Sequence, residues 1–189
     1  EPGGAWAYNS GATQLLSAVL EHTTGMSVED YAKVRLFEPL GISEYYWKQS
    51  PAGLNDTLGG LYLTSTDLIK FCDLLQAGGE WNGKRLVSEN FIQRSLSEYS
   101  TLDPDRRYRG YGYQWWLGYK SFNPKNVDGI GYGGQGLTCG LEEDTSIVIY
   151  SWNVPEIDRP DLIKSSGDVI AEIHTYIEED VLPYHEAND

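Results

Sequence analysis

The residues that could do chemistry are few, and their spacing closes most routes at once. No lysine has a serine or threonine three positions before it, so the Ser-x-x-Lys arrangement, in which an amine activates a serine hydroxyl, is absent from these 189 residues. No Gly-x-Ser-x-Gly elbow occurs either. His22, His174 and His185 are far apart and read as surface or capping residues. Cys72 and Cys139 have neither metal nor redox spacing and sit among apolar neighbours, so they read as buried thiols. No zinc-ligand spacing and no phosphate-cradling loop is present, so no metal and no cofactor is expected. What remains is a tyrosine in Trp6-Ala7-Tyr8-Asn9-Ser10 and a glycine-rich run from Gly129 to Gly136. Taken singly, the first is one of 14 tyrosines and the second a glycine-rich hairpin.

Those residues must be positioned by elements that the hydrophobic pattern predicts. Leu15, Leu16, Val19 and Leu20 recur at helical spacing over Ala12 to Thr24, and Gly25 is a natural stop. Ser27 opens a second helix, with Asp30 at the reciprocal capping position and Tyr31, Val34 and Leu36 or Phe37 on its buried side; Pro39 is expected to end it. A third helix begins at Thr64 or Ser65, carries Leu68, Phe71, Cys72 and Leu75 on one face, and closes at Gly78-Gly79. A fourth starts at Ser88, with Phe91, Ile92 and Leu96 inward. Strands follow over Tyr111 to Leu117, Gly136 to Leu141 and Ser146 to Trp152, the last two joined by a turn at Glu142-Glu143-Asp144. Asp161 to Asp180 reads as a closing helix. Helices, then antiparallel strands, then a helix make an α+β chain. The loop from Thr101 to Arg109 separates a helical region, 1–105, from a strand region, 106–189.

Composition narrows the partners. A net charge of −14 argues against nucleic acid, which calls for a basic footprint, and against anionic membranes. No apolar run is long enough to span a bilayer. The six tryptophans and 14 tyrosines are read mainly as core. The chain opens on Glu1-Pro2-Gly3-Gly4, which is loop chemistry, and it is read as a piece of a longer precursor.

Four stretches share one resemblance. Pro2 to Gly11 is similar to the segment around the Tyr-x-Asn motif of class C β-lactamases, D-Ala-D-Ala peptidases and related esterases. Arg35-Leu36-Phe37-Glu38-Pro39-Leu40-Gly41-Ile42 resembles a second family stretch, Gly59-Gly60-Leu61 with Ser65, Asp67, Leu68 and Phe71 a third, and Trp81-Asn82-Gly83-Lys84-Arg85-Leu86 continues it. In this order the chain resembles the C-terminal portion of a serine hydrolase of the β-lactamase/penicillin-binding superfamily, including its esterase and nylon-oligomer hydrolase branch, up to about Asn153. The resemblance implies a β-lactamase/transpeptidase-like fold and an acyl-enzyme mechanism acting on an ester, amide or peptide. It also implies a periplasmic or secreted location.

Carried over residue by residue, the general acid/base falls on Tyr8. Ser10 stands where the family usually has Asn, and a hydroxyl cannot offer an amide's paired donor and acceptor. The family's Lys-Thr-Gly or His-x-Gly strand motif falls either on Gly129-Ile130-Gly131 or on Tyr132-Gly133-Gly134. Neither register holds Lys or His, so the usual cation for a substrate carboxylate is missing. The oxyanion donor is then the N–H of Tyr132 or of Gln135, because a backbone donor needs no particular side chain. The segment that should carry the nucleophile is absent, so the 189 residues alone are expected to hydrolyse nothing. Two readings stay open: part of an active serine hydrolase, or a degenerate relative that binds a peptide or glycan. Because the family's N-terminal elements are missing, the sheet is expected to expose apolar side chains at Trp115, Trp116, Ile147, Ile149 and Trp152. The chain is then expected to pair with that segment, with a partner chain or with itself.

Overall fold

The computed structural model describes residues 4–120, 125–142, 145–151, 172–173, 175–177 and 179. The chain divides into two compact units, Glu1–Glu89 and Asn90–Asp189.

In the first unit three of the helices start where a short polar side chain can take a free backbone N–H. Asn9 caps α1 (Ser10–Thr24), its Oδ1 accepting from the Ala12 N–H at 3.1 Å, and Gly25 ends it in the left-handed conformation at φ 70°. Ser27 caps α2 (Val28–Ala32), accepting from the Asp30 N–H while its hydroxyl donates to the Asp30 carboxylate. The helical run continues through a π-helical turn, Lys33–Phe37, into α3 (Glu38–Leu40). Pro39 therefore lies within the run instead of ending it. It occupies the first turn of α3, and Gly41 at φ 68° supplies the stop. Thr64 caps α4 (Ser65–Gln76) through the Asp67 N–H, and Lys70 bonds the Asp67 carboxylate at 2.6 Å. Gly78 and Gly79, at φ 60° and 91°, turn the chain away from that helix.

Two short hairpins complete this unit. β1 (Tyr46–Trp47) pairs with β2 (Leu61–Tyr62), and β3 (Glu80–Trp81) with β4 (Lys84–Arg85). The second turns on Asn82-Gly83, both at positive φ, as a two-residue hairpin demands. The core gathers around Phe37, Leu40 and Ile42, packed by Tyr45, Trp47, Leu61, Phe71 and Trp81. Phe37 meets Tyr45 at 4.7 Å between ring centroids, and the Trp47 indole donates to the Asp56 carbonyl. Tyr45, Trp47 and Trp81 pack against this core, whereas Tyr8, Tyr46, Tyr62, Tyr99, Tyr113, Tyr132, Tyr150 and Tyr176 are exposed, so the reading of the aromatics as mainly core holds only in part.

The second unit opens with α5 (Glu89–Ser95), whose first residue ends the unit before it, and is otherwise an antiparallel meander. The strands β5 (Ser100–Thr101), β6 (Tyr108–Tyr111), β7 (Trp116–Tyr119), β8 (Val127–Gly131), β9 (Gln135–Cys139) and β10 (Ser146–Ile149) lie side by side in chain order. The expected strand from Tyr111 to Leu117 is instead a hairpin. β6 stops at Tyr111, and Gln114 adopts φ 66°. A side chain at Gly112 would collide with the Ser95 carbonyl, which accepts from the Tyr113 N–H at 2.9 Å. Leu117, Tyr108, Tyr119, Val127 and Leu137 are buried. Of the side chains expected to be exposed, Trp115, Trp116 and Ile147 are half-buried and Ile149 is buried; Trp152 lies outside the described residues. The closing helix also falls largely outside them, although residues 172–173 and 175–176 are helical.

Both cysteines are fully buried, and neither is a free thiol, which corrects the reading from their neighbours. Among the described residues no helix is long and apolar enough to cross a membrane, and no group of three or more His, Cys, Asp or Glu is placed to hold a metal.

Candidate functional site

The candidate residues fall into two groups, one on each unit. In the first, Tyr8 lies on the extended segment directly before α1, and its side chain is 54% exposed, with the Trp6 ring 6.4 Å away. Ser10 is the first residue of α1. The residue between them is the one that fixes the local geometry. Asn9 holds extended φ/ψ and caps the helix, so Tyr8 is presented from a backbone anchored at the helix start.

The other side of α1 is held by polar contacts. Gln14 donates to the Asn55 carbonyl at 2.8 Å and accepts from the Thr57 N–H at 3.1 Å, and the Thr57 hydroxyl donates to the Thr13 carbonyl. Asn55 is buried. It also accepts from the Glu29 N–H at the start of α2 and donates to the Glu29 carboxylate. One buried residue thus ties α1, through its backbone carbonyl, and α2, through its side-chain amide, to the loop before β2. Sequence reasoning missed Asn55, which has no periodic signal. Asn9 could have been found as a short polar residue directly before a helical run.

In the second group Gly131, Tyr132, Gly133, Gly134 and Gln135 form a single turn. Gly131 ends β8 and pairs with Gln135, the first residue of β9. The three residues between them close the hairpin, with Gly133 and Gly134 at φ 85° and 88°, a region that side-chain-bearing residues rarely enter. The Tyr132 side chain is 77% exposed. Gln135 donates from its amide to the Ser151 carbonyl, which anchors the turn to the segment after β10. The two registers of the glycine motif therefore meet at one place: Tyr132 lies in the turn and Gln135 begins the returning strand.

A buried carboxyl lies three residues before this turn. Asp128 is 1% exposed and pairs across the sheet with Thr138 on β9 and Trp116 on β7. The Thr138 hydroxyl donates to Asp128 Oδ1. Oδ2 and the Tyr108 hydroxyl are buried beside each other, short of full hydrogen-bond geometry. Burial pushes the Asp128 carboxyl up to about 7, and its Thr138 and Tyr108 neighbours only partly offset this. The Tyr108 phenol is raised by burial and by the same carboxyl. A charged residue inside a strand that otherwise reads as Val, Gly and Ile was the available signal.

Comparison with known proteins gives the family and the fold. The β-lactamase family model matches residues 1–163. The 6-aminohexanoate-dimer hydrolase of Paenarthrobacter ureafaciens is 27% identical over 176 residues, covering 81% of this chain and 41% of that protein. Penicillin-binding protein 4* of Bacillus subtilis (strain 168) is 27% identical over 146 residues, 62% of this chain and 32% of that protein. Among solved structures, a Bacillus anthracis protein provisionally named a 6-aminohexanoate-dimer hydrolase superposes with a TM-score of 0.71 at 22% identity, over 94% of this chain and 46% of that one. The chain thus spans less than half the length of the curated relatives it matches. The α+β fold matches that of these neighbours, and with the family model covering most of its length the chain belongs to the β-lactamase family.

Proposed function

We propose that the chain is part of a serine acyl hydrolase, an esterase, amidase or peptidase-like enzyme, whose nucleophilic serine lies beyond these 189 residues. The observation that carries this reading is the family match, within which a tyrosine stands directly before a capped helix and a glycine turn stands between two adjacent strands. In the proposed reaction the serine Oγ attacks the substrate carbonyl carbon. The serine proton passes to a base, and the carbonyl electrons move to the oxygen. The N–H of Tyr132 or Gln135 stabilises that oxyanion. On collapse the leaving alcohol or amine departs with a proton delivered through Tyr8. Water then attacks the acyl carbon, and the acid is released as the serine is regenerated.

The partner follows from the same reading. α1 turns its polar side to the Asn55 loop and leaves Leu15, Leu16 and Val19 exposed, at 66%, 50% and 56%. The remaining half of the family domain is the occupant we assign to that face. An extracytoplasmic location is supported by the absence of free thiols, since cysteines stay oxidised outside the reducing cytosol.

A second reading is favoured by one feature: neither register of the glycine motif contains Lys or His. This fits a degenerate relative that binds a peptide or glycan without turnover. Hydrolysis of p-nitrophenyl acetate by the complete gene product separates the two. The hydrolase reading expects turnover that the 189 residues alone lack. No turnover by the complete protein would favour the binding module.

A further inference from the structure

The hairpin between β6 and β7 and the glycine turn between β8 and β9 lie at the same end of the sheet, because alternate turns of an antiparallel meander do. The first of these turns carries an aromatic surface with a cation beside it. Tyr113 stacks on Tyr99, ring centroids 4.8 Å apart and planes 13° from parallel, and Phe91 of α5 meets Tyr113 at 5.9 Å. Arg94, in the last turn of α5, donates to the Tyr113 hydroxyl at 3.3 Å. The Tyr99 phenol is lowered by its hydrogen bonds to Tyr113 and Arg94, so the guanidinium serves both rings.

All four side chains remain accessible, with Phe91, Tyr99 and Tyr113 53%, 54% and 36% exposed. The patch is nevertheless held in place. The Tyr113 N–H bonds the Ser95 carbonyl at the end of α5, and the Tyr99 N–H bonds the Tyr111 carbonyl. Trp115, on the same turn, lies over Gly129 of β8, its ring 3.9 Å from where a Cβ would stand. The turn is thereby packed onto the strand that leads into the glycine turn.

We infer that Phe91, Arg94, Tyr99 and Tyr113 form a substrate subsite for the carboxylate end of a long acyl chain, with the guanidinium binding the carboxylate and the stacked rings its apolar stem. The inference rests on the hydrolase reading only for the identity of the substrate. Three observations carry the chemistry. Among the described residues Arg94 is partnered by phenols and not by a carboxylate, although the chain has 28 acidic side chains to offer. A guanidinium has five N–H donors, which two hydroxyls leave underused. The glycine motif holds no Lys or His, so it offers no side-chain cation of its own to a substrate carboxylate. Reach sets the length. Two strand spacings separate the axes of the two hairpins, about 10 Å, so an extended chain between carboxylate and scissile carbonyl needs roughly eight bonds or more.

Two measurements test this. In the first, 4-phenylbutyrate and the neutral 4-phenylbutanol are titrated into the protein, with shifts of the tyrosine resonances as readout. The carboxylate should bind more tightly, and Arg94→Gln should weaken it about tenfold while leaving the alcohol alone; Tyr99→Ala should weaken both. In the second, the complete gene product is given mono-p-nitrophenyl esters of glutaric and sebacic acid. The long ester should be preferred, and Arg94→Gln should cut that preference about tenfold. Equal binding of acid and alcohol, or binding that Arg94→Gln does not change, overturns the subsite. Arg94-dependent binding in a protein that cleaves no ester upholds the subsite and overturns the hydrolase reading.

Discussion

A carboxyl group in the middle of a sheet either ionises against a cation or keeps its proton, and Asp128 has hydroxyl neighbours in Thr138 and Tyr108. Its folded value of about 7 lies above the ordinary 3.8, so the folded chain holds this proton more tightly than the unfolded chain does. Its contribution to stability is therefore complete below about pH 4 and is lost as pH rises through 7, a change on the order of 4 kcal/mol. Asp128→Asn should remove that slope, as urea unfolding at pH 4.5, 6 and 7.5 would reveal; a slope that persists in the variant contradicts the assignment. Tyr8 gives a kinetic expectation at the same scale. If it relays the proton, Tyr8→Phe in the complete protein should lower kcat about 100-fold or more with little change in KM. An unchanged kcat would return Tyr8 to being an exposed aromatic beside Trp6.

At the level of elements, the capped helices were the most legible part of the sequence. Ser27, Thr64, Gly25 and Gly78-Gly79 punctuate them where the pattern put them, because caps are local chemistry that tertiary packing seldom overrides. Strands were less legible. Tyr111 to Leu117 reads as one strand by its aromatics, yet Gly112 and Gln114 turn it into a hairpin locked on Ser95, a contact that no local pattern announces. The Asn82-Gly83 pair was a local turn signal that an aromatic- and leucine-centred reading passed over. α1 was legible as a helix but not in its orientation. The spacing of its leucines marked an apolar stripe but not its surroundings: Leu15, Leu16 and Val19 are exposed, and Gln14, Thr13 and Ser17 face inward. Asn9→Ala should destabilise the start of that helix by ~1 kcal/mol, measurable as earlier unfolding in denaturant and as faster amide exchange at Ala12. Unaltered exchange there would mean that the Asn55 contacts alone hold α1.

For the whole molecule, the exposed Leu15, Leu16 and Val19 bear on association. An apolar helix face of this kind drives pairing, while a net charge of −14 opposes unspecific aggregation. The isolated 189 residues should therefore scatter light as a defined dimer at low micromolar concentration, and Leu16→Glu should return them to monomer; a monomeric parent chain would contradict this. The central proposal is that the chain is part of a serine acyl hydrolase whose nucleophile lies elsewhere in the protein. Its most direct test is to react the complete gene product with a fluorophosphonate and locate the adduct by peptide mass spectrometry. The account predicts one modified serine outside residues 1–189 and no adduct on the isolated chain; an adduct on any serine within these residues, or none on the complete protein, would contradict it.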